Sequence, residues 1–334
     1  SASRFLLRGN APIFQTSHMR NSTSAFMERC MYALLLSIFF LLSLFPLRPL
    51  YCISDALAWL LHSVVRYRRK VVDANLRSSF PDKTDAEIRL ITRRFYRFLS
   101  DYFMETVKLT TMGRRQMSRR MRFEGLEEAD KAMAAGHDVT LYLGHYCNWE
   151  WVSSLPAHFS AEAVGGQIYH PLENRASDRL FLRIRSRWGA VSIRLHETLK
   201  VITRWHREGT VSMVGYIADQ VPGYNGIHCW VDFLNHDTPV YSGPERIARM
   251  QHSQVYYLDI RRPRRGYYIG KFIKMADDAA ECEKFTLTKE YFRLLEESIR
   301  RQPQYWLWSH RRWKRTRAAF MARFPDADER LRRL

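Results

Sequence analysis

The chain has 334 residues, 46% of them hydrophobic and 13% aromatic, and 53 Lys and Arg against 34 Asp and Glu give it a net charge of +19. This length and apolar content suffice for a buried core, which excludes an intrinsically disordered protein and a fibrous repeat. Five scattered cysteines without a C-x-x-C pair exclude a disulfide scaffold and a zinc knuckle. The charge predicts an anionic partner, and nucleic acid, anionic lipid and an acidic protein all qualify.

The N-terminal region divides into a polar part and an apolar part. Residues 1–26 are polar and aperiodic, which predicts a disordered extension. Met31–Leu47 is uncharged and almost wholly apolar, just short of the roughly 20 residues that a spanning helix needs. A second apolar stretch, Leu50–Val65, follows, and then the basic cluster Arg66–Lys70.

These patterns favour a membrane anchor and a helix at the lipid interface over residues 27–66, with a cytoplasmic domain over residues 67–334. A signal peptide is the first alternative, but the apolar run lacks a small-residue cleavage site. A buried core helix is the second alternative.

An amphipathic helix is predicted over Thr84–Thr110. Thr84 and Glu87 form a T-x-x-E capping box at its start. Apolar side chains recur at helical spacing along one stripe, which fits a core position or a membrane-facing surface. The stripe comprises Ile88, Ile91, Phe95, Phe98, Leu99, Tyr102, Phe103 and Val107.

From about residue 124 the sequence alternates between short β-rich runs and helical patterns. The predicted strands are Val139–Gly144, Ala163–Tyr169, Val191–Leu195, Val211–Ala218, Val255–Arg261 and Tyr267–Ile273. The predicted helices are Gly125–Ala135, Trp149–His158, Asn174–Arg187, His196–Glu208, Pro244–His252 and Phe285–Arg301. This alternation predicts the α/β class, with a mixed, mostly parallel sheet and helices on both faces, preceded by the membrane-anchor helix.

The pair His145 and Glu150, an H-x-x-x-x-E pattern, directly follows the most strand-like run. The ends of buried strands are where α/β proteins place their chemistry. A neutral histidine can take a proton from a hydroxyl, and a carboxylate on its other ring nitrogen fixes the tautomer. The sequence therefore predicts His145 as a general base oriented by Glu150.

Two other interpretations of this segment stay open. In one, His145 is a core histidine bonded to a backbone carbonyl, and Glu150 is solvated in the first turn of a helix. In the other, Cys147 acts as a nucleophile with His145. Side chains two residues apart in an extended chain diverge, which disfavours a Cys–His pair.

Several ordered motifs resemble the bacterial lipid A biosynthesis acyltransferase family, the late branch of the lysophospholipid-acyltransferase-like superfamily. They cover about residues 30–315. They read YRRKVVDANLRSSFP (67–81), GHYCNWEW (144–151), ADQVPG (218–223), YSGPERIARM (241–250) and YWLWSHRRWK (305–314).

The resemblance implies transfer of a fatty acyl chain from a thioester on acyl carrier protein to a hydroxyl group. The implied acceptor is the 3-hydroxyl of an acyl chain on a glucosamine disaccharide lipid, a lipid A precursor. The implied location is the bacterial inner membrane, with the catalytic domain facing the cytoplasm. The resemblance implies no nucleic-acid partner. No cofactor is expected either, because metal-ligand spacings and a G-x-x-x-x-G-K loop are absent.

The resemblance also assigns site residues. His145 is the base that deprotonates the acceptor, and Glu150 orients it. An arginine after the next strand supplies the oxyanion contact, with Arg183, Arg185 and Arg187 as candidates. Further candidates for oxyanion or substrate binding are Asn148, the Asp219-Gln220 pair, and His170, which stands where relatives often carry arginine. The Asp219 carboxylate is expected either to support the site from the opposite strand or to bind the acceptor head group. The alternative for Asp219 is a turn-forming residue before Val221-Pro222-Gly223.

Basic stretches at Arg66–Lys70, Arg261–Arg265 and Arg311–Arg317 fit an anionic membrane surface or the phosphates of the acceptor. Arg68, Arg69, Arg311 and Arg312 are the candidates for these contacts. Complementary charge also favours docking of acidic acyl carrier protein. Trp306, Trp308 and Trp313 suit either the lipid interface or the core.

Two further functions remain as alternatives. One keeps the acyl transfer and changes the acceptor to a lysophospholipid, an aminolipid or a glycosylated phosphoinositide. The other is a basic protein without catalytic activity that binds a membrane or nucleic acid.

Overall fold

The computed structural model describes residues 14–327 and residue 331. Within them, seven strands form one sheet in the order β1-β9-β8-β2-β5-β3-β4, and β6 and β7 form a separate hairpin. The strands are β1 (Met121–Glu124), β2 (Val139–Leu143), β3 (Val164–Tyr169), β4 (Val191–Arg194), β5 (Ser212–Ile217), β6 (Cys229–Phe233), β7 (His236–Val240), β8 (Gln254–Arg264) and β9 (Tyr267–Ala276).

Neighbouring strands of the large sheet run parallel, except β8 and β9, which pair antiparallel. The predicted α/β fold class is therefore confirmed. The helices are α1 (Phe14–Leu44), α2 (Leu47–Trp59), α3 (Arg69–Ser79), α4 (Asp85–Lys108), α5 (Arg114–Arg120), α6 (Leu126–Ala134), α7 (Arg175–Arg185), α8 (Thr198–Arg207), α9 (Gly243–Met250), α10 (Thr286–Arg301) and α11 (Arg317–Arg323).

Strand pleating gives the sheet two distinct faces. Leu141 pairs with Gly215, and Tyr142 pairs with Tyr216. Since successive side chains on a strand point to opposite faces, the pair Leu141 and Gly215 lies on one face of the sheet and the pair Tyr142 and Tyr216 lies on the other. We call the face that carries Leu141 and Gly215 the front face, and the other the back face.

Different helices cover the two faces. A 3₁₀ helix, Trp149–His158, lies on the front face, where its Pro156 occupies the space that a Cβ on Gly165 would need. Val214 and Tyr216 on the back face pack with Ile202 and Trp205 of α8.

The N-terminal segment differs from the prediction. Residues 1–13 of the predicted disordered extension lie outside the described residues, but α1 begins at Phe14, so residues 14–26 are helical. A run without glycine or proline from residue 14 to residue 44 allows the helix to extend this far. By length and composition, Ala25–Leu44 is long and apolar enough to cross a membrane.

One side of α1 contacts the domain. The rings of Phe39 and Phe103 lie 6.1 Å apart, and Nζ of Lys108 donates to the carbonyl of Ser43 at 2.5 Å. The other side exposes apolar side chains at helical spacing, at Met31, Leu34, Ile38 and Leu41.

The capping box that was predicted for α4 is confirmed. The backbone N–H of Glu87 donates to Oγ1 of Thr84, and the Thr84 N–H donates to the Glu87 carboxylate. Most of the apolar stripe is core, as its buried residues Ile88, Ile91, Phe95, Phe98 and Val107 show.

The C-terminal basic segment is partly internal, which corrects the predicted membrane contact of Arg312. Arg312 is fully buried, and its Nη2 donates to the Pro239 carbonyl at 2.9 Å. Burial lowers the pKa of this guanidinium to about 10. Trp306 and Trp308 are also buried, so they are core residues.

Two arginines of the basic stretch Arg261–Arg265 are neutralised within the domain. Arg262 and Arg265 form ion pairs with Asp101 at 2.7 and 2.5 Å, and Arg265 also pairs with Asp55 at 2.8 Å. These two arginines therefore do not face a lipid phosphate. In contrast, Arg68, Arg69 and Arg311 are exposed, and their contact with membrane or phosphate stays a prediction.

Candidate active site

His145 lies two residues beyond the end of β2, and Asp219 lies two residues beyond the end of the neighbouring β5. Parallel strands bring these two ends together at one edge of the sheet. The distance from Nδ1 of His145 to Oδ1 of Asp219 is 2.5 Å, and the backbone N–H of His145 donates to Oδ2 at 2.9 Å. Asp219 thus holds both the ring and the backbone of His145.

Asp219 is buried and accepts a further hydrogen bond at 2.8 Å from the indole N–H of Trp306. Burial by itself would raise the pKa of this carboxyl group. The charge of His145 and the hydrogen bonds from His145 and Trp306 outweigh burial and lower the pKa to about 2. The carboxylate is therefore ionised at neutral pH, where it accepts the Nδ1 proton and leaves Nε2 as the basic nitrogen.

The predicted contact between Glu150 and His145 is wrong. Glu150 is buried and forms a bidentate ion pair with Arg185, at 2.8 and 2.5 Å, and it accepts from the Tyr102 hydroxyl at 3.1 Å. The 3₁₀ helix that begins at Trp149 directs Glu150 towards α7 and α4 instead of back to the ring.

The three candidate arginines differ in position. Arg185 lines the same cavity as His145, with a side chain 22% exposed. Arg183 is exposed, and Arg187 donates to the carbonyl of Leu109. Neither Arg183 nor Arg187 lines the cavity, so the structure does not bring them to His145.

The other predicted site residues fall into two groups. Gln220 and His170 line the cavity, and Nε2 of Gln220 lies 3.3 Å from Nε2 of His145. Asn148 is buried away from it, where it caps the 3₁₀ helix through the Trp151 N–H and donates to Glu105 at 2.7 Å. Asn148 thus supports the loop and does not face the cavity.

Cys147 is not placed to act as a nucleophile. Its side chain is fully buried, and its Sγ lies 3.5 Å from the carbonyl of Ile260. Burial also raises the pKa of the thiol well above its usual value, which disfavours the reactive thiolate.

A cavity of about 770 Å³ is lined by His145 and by residues of β2, β3 and β5. Its walls are mostly apolar, and its polar lining includes His145, Gln220, Glu150 and Arg185. A deep apolar cavity with a few convergent polar groups is the usual form of a site for a largely apolar ligand. Among the described residues, no three His, Cys, Asp or Glu side chains are grouped so that they hold a metal ion.

The sequence indicated a supporting role for Asp219, but it predicted neither the hydrogen bond between His145 and Asp219 nor the ion pair between Glu150 and Arg185. Each joins residues far apart in the chain, although Asp219 and Arg185 had both been considered individually. The sequence did contain an indication of this contact, since Asp219 directly follows a predicted strand just as His145 does.

The chain was compared with known proteins. A search of curated proteins found no match. A family model described as bacterial lipid A biosynthesis acyltransferase matches residues 19–315, which is most of the chain and includes the His145–Asp219 site. The protein therefore belongs to the bacterial lipid A biosynthesis acyltransferase family.

Proposed function

We propose that the protein transfers a fatty acyl chain from acyl carrier protein to a hydroxyl group of a lipid A precursor. The proposed location is the bacterial inner membrane, with the catalytic domain facing the cytoplasm. The observation that carries the proposal is the His145–Asp219 pair, whose histidine lines a mostly apolar cavity, in a chain of this family.

In the proposed reaction His145 is the general base. Because Nδ1 is bound to Asp219, Nε2 takes the proton from the acceptor hydroxyl. The resulting oxygen attacks the thioester carbonyl carbon, a C–O bond forms, and the C–S bond breaks. The imidazolium, stabilised by the ionised Asp219, then returns its proton to the departing sulfur.

Arg185 is the proposed oxyanion donor. Its Nε and Nη2 are bound to Glu150, which leaves the Nη1 hydrogens for the developing negative charge. Glu150 then acts by holding Arg185, a role different from the one that the sequence predicted.

The test is an assay of purified protein in phospholipid vesicles with acyl carrier protein as donor and a lipid A precursor as acceptor. Mass spectrometry of the product should show a mass gain of one acyl chain. Removal of the base in His145→Ala should lower the rate by about 10²–10⁴-fold. The control His206→Ala changes an exposed histidine of α8 that does not line the cavity.

Equal transfer by His145→Ala and wild type would refute the proposed mechanism. Replacing the acceptor by a lysophospholipid and the donor by acyl-coenzyme A tests the two substrate assignments separately. Transfer to the lysophospholipid alone would move the function to the alternative acceptor.

A further inference from the structure

Helix α8 carries an exposed row of positive charges, Lys200, Arg204 and Arg207, which we call the α8 stripe. The three residues follow one another at helical spacing, so they share one side of the helix. The helix itself contains neither Asp nor Glu, and the flanking acids Glu197 and Glu208 stand at its two caps. The stripe is therefore a purely cationic surface.

The α8 stripe has no counterion. Within the part of the chain that the structure describes, none of its three side chains forms an ion pair. Exposed arginines elsewhere are paired, since Arg293 binds Glu290 and Glu297 at 2.6 and 2.5 Å and Arg317 binds Asp237 at 2.6 Å. Like charges one helical turn apart repel one another. An acidic partner from outside the chain would remove this repulsion.

The α8 stripe adjoins residues that line the cavity of His145. Leu195, just before α8, and Thr198 and Leu199 within it belong to the cavity lining. Leu195 and Leu199 are 46% and 51% exposed, and Leu199 directly precedes Lys200. A second basic helix, α5, contributes no residue to the lining. A partner that binds α8 thus lies beside this cavity, whereas a partner that binds α5 does not.

The α8 stripe and the apolar N-terminal helix belong to different sides of the sheet. Helix α8 packs on the back face through Ile202. Helix α1 contacts α7, where Arg179 lies over the ring of Tyr32, and α7 is bound to the front-face 3₁₀ helix through Arg185 and Glu150. A surface on the face opposite to the contacts of α1 favours a soluble partner over a lipid headgroup.

We propose that the α8 stripe is the docking surface for an acidic carrier protein that brings the thioester donor to His145. This inference rests on the proposed function and adds the surface that recognises the donor. The stripe supplies the complementary charge, and the exposed Leu195 and Leu199 supply apolar contact next to it. Complementary charge chiefly raises the rate of association, so the stripe acts on capture of the donor and not on the chemical step.

Charge reversal of the stripe tests the proposal, with Lys200→Glu, Arg204→Glu and Arg207→Glu combined in one variant. With acyl carrier protein as donor, kcat/KM should fall at least about tenfold at low ionic strength, and the difference from wild type should shrink as salt is added. With an acyl thioester of N-acetylcysteamine, a small uncharged donor, the variant and wild type should be equal. Equal rates with the small donor show that the variant is folded.

The matched control reverses three exposed arginines of α5, as Arg114→Glu, Arg115→Glu and Arg119→Glu in one variant. Helix α5 leads into β1 and α8 follows β4, so the two helices belong to opposite ends of the sheet. The control changes the net charge of the protein by the same amount. It should keep the wild-type kcat/KM for acyl carrier protein, and an equal fall in both variants would contradict a specific docking surface.

Anionic lipid is the other partner with the required charge, and sedimentation with phosphatidylglycerol vesicles distinguishes it from a carrier protein. The α8 variant should sediment with the vesicles as wild type does. Weaker sedimentation of the α8 variant, together with unchanged use of acyl carrier protein, would assign the stripe to the membrane and overturn the proposal.

An unchanged kcat/KM for acyl carrier protein in the α8 variant would also overturn the docking surface, although acyl transfer itself would still be observed. The proposed function fails in a different way, if the wild-type protein transfers no acyl chain from acyl carrier protein to any lipid.

Discussion

The charge of Asp219 determines which ring nitrogen of His145 carries the proton. The carboxylate has a pKa of about 2, so it stays ionised over the whole range in which an enzyme is assayed. It therefore fixes the proton on Nδ1 and does not itself contribute a step to the pH–rate profile.

Asp219→Asn should lower kcat by about 10³–10⁴-fold, because an amide can present its N–H to Nδ1 and stabilise the wrong tautomer. Measured kcat values from pH 6 to pH 9 test this expectation. Circular dichroism checks the fold, since the amide must still accept from Trp306 and the His145 N–H. A loss below tenfold in a folded variant would contradict the role of Asp219.

Glu150 and Arg185 should behave as one unit. Arg185→Lys loses the planar fork that binds Glu150 in a bidentate manner, and kcat should fall about 10²-fold. Glu150→Gln removes the carboxylate that holds the guanidinium of Arg185, so it should also lower kcat. The double variant should be no slower than the slower single variant, whereas Glu150→Gln and Asp219→Asn should combine multiplicatively.

A kinetic double-mutant cycle measures this coupling. If Glu150 acted directly on His145, the cycle would instead couple Glu150 with Asp219. Glu150→Asp is the conservative control, since it keeps the charge and shortens the reach.

The position of His145 at the edge of the sheet could be predicted from residue order, whereas its hydrogen bond with Asp219 could not. A strand that ends at Gly144 places His145 at the functional edge, and periodicity is enough to find that strand. The partner depends on β5 lying next to β2 in the sheet, which is a long-range property. Spacing along the chain favoured Glu150 as the partner because Glu150 is close in sequence. The 3₁₀ helix that begins at Trp149 directs the Glu150 side chain away from His145.

Among elements, those with strong local signals were predicted closely. The capping box of Thr84 fixes the start of α4, and alternating β-rich runs locate β2, β3, β4 and β5 within two residues. The hairpin of β6 and β7 was missed because its turn residues Leu234 and Asn235 both have positive φ, and leucine does not signal such a turn. β1 was missed because four residues carry too little pattern.

The segment from Trp306 to Trp313 is partly buried and contains a titratable histidine, His310. Burial lowers the pKa of His310 to about 4, and its Nε2 lies 3.4 Å from the Val221 N–H. The unfolded chain protonates this histidine near pH 6.5. The folded state therefore loses stability as pH falls from about 6.5 towards 4, and keeps this contribution in full above pH 6.5.

His310→Gln should reduce the loss of folding stability that occurs as the pH falls from about 6.5 towards 4. Urea unfolding at pH 7.5, 6 and 5 measures it, and the free energy of unfolding should fall less with decreasing pH in the variant than in wild type. A slope remains, because burial also lowers the pKa of His158 and His236. Equal slopes for the two proteins would show that His310 is not buried in its neutral form.

At the scale of the whole molecule, α7 connects α1 to the cavity that His145 lines. Arg179 of α7 lies over the ring of Tyr32 at 4.4 Å, and Asn174, which caps α7, contacts Met31. The same helix ends in Arg185, which lines the cavity. The apolar N-terminal helix is therefore packed against the element that carries the proposed oxyanion donor.

Because of this connection, we expect the thickness of the bilayer to affect the rate of acyl transfer. A helix that tilts to match a thinner or thicker hydrocarbon layer pulls on α7, and thereby on Arg185. We expect kcat in vesicles of fixed headgroup to pass through a maximum as the phospholipid chains are lengthened, with KM for the soluble donor changing little. A kcat that does not change with phospholipid chain length would mean that α1 moves independently of the domain it contacts. The bilayer would then only hold the protein at the membrane, without affecting its activity.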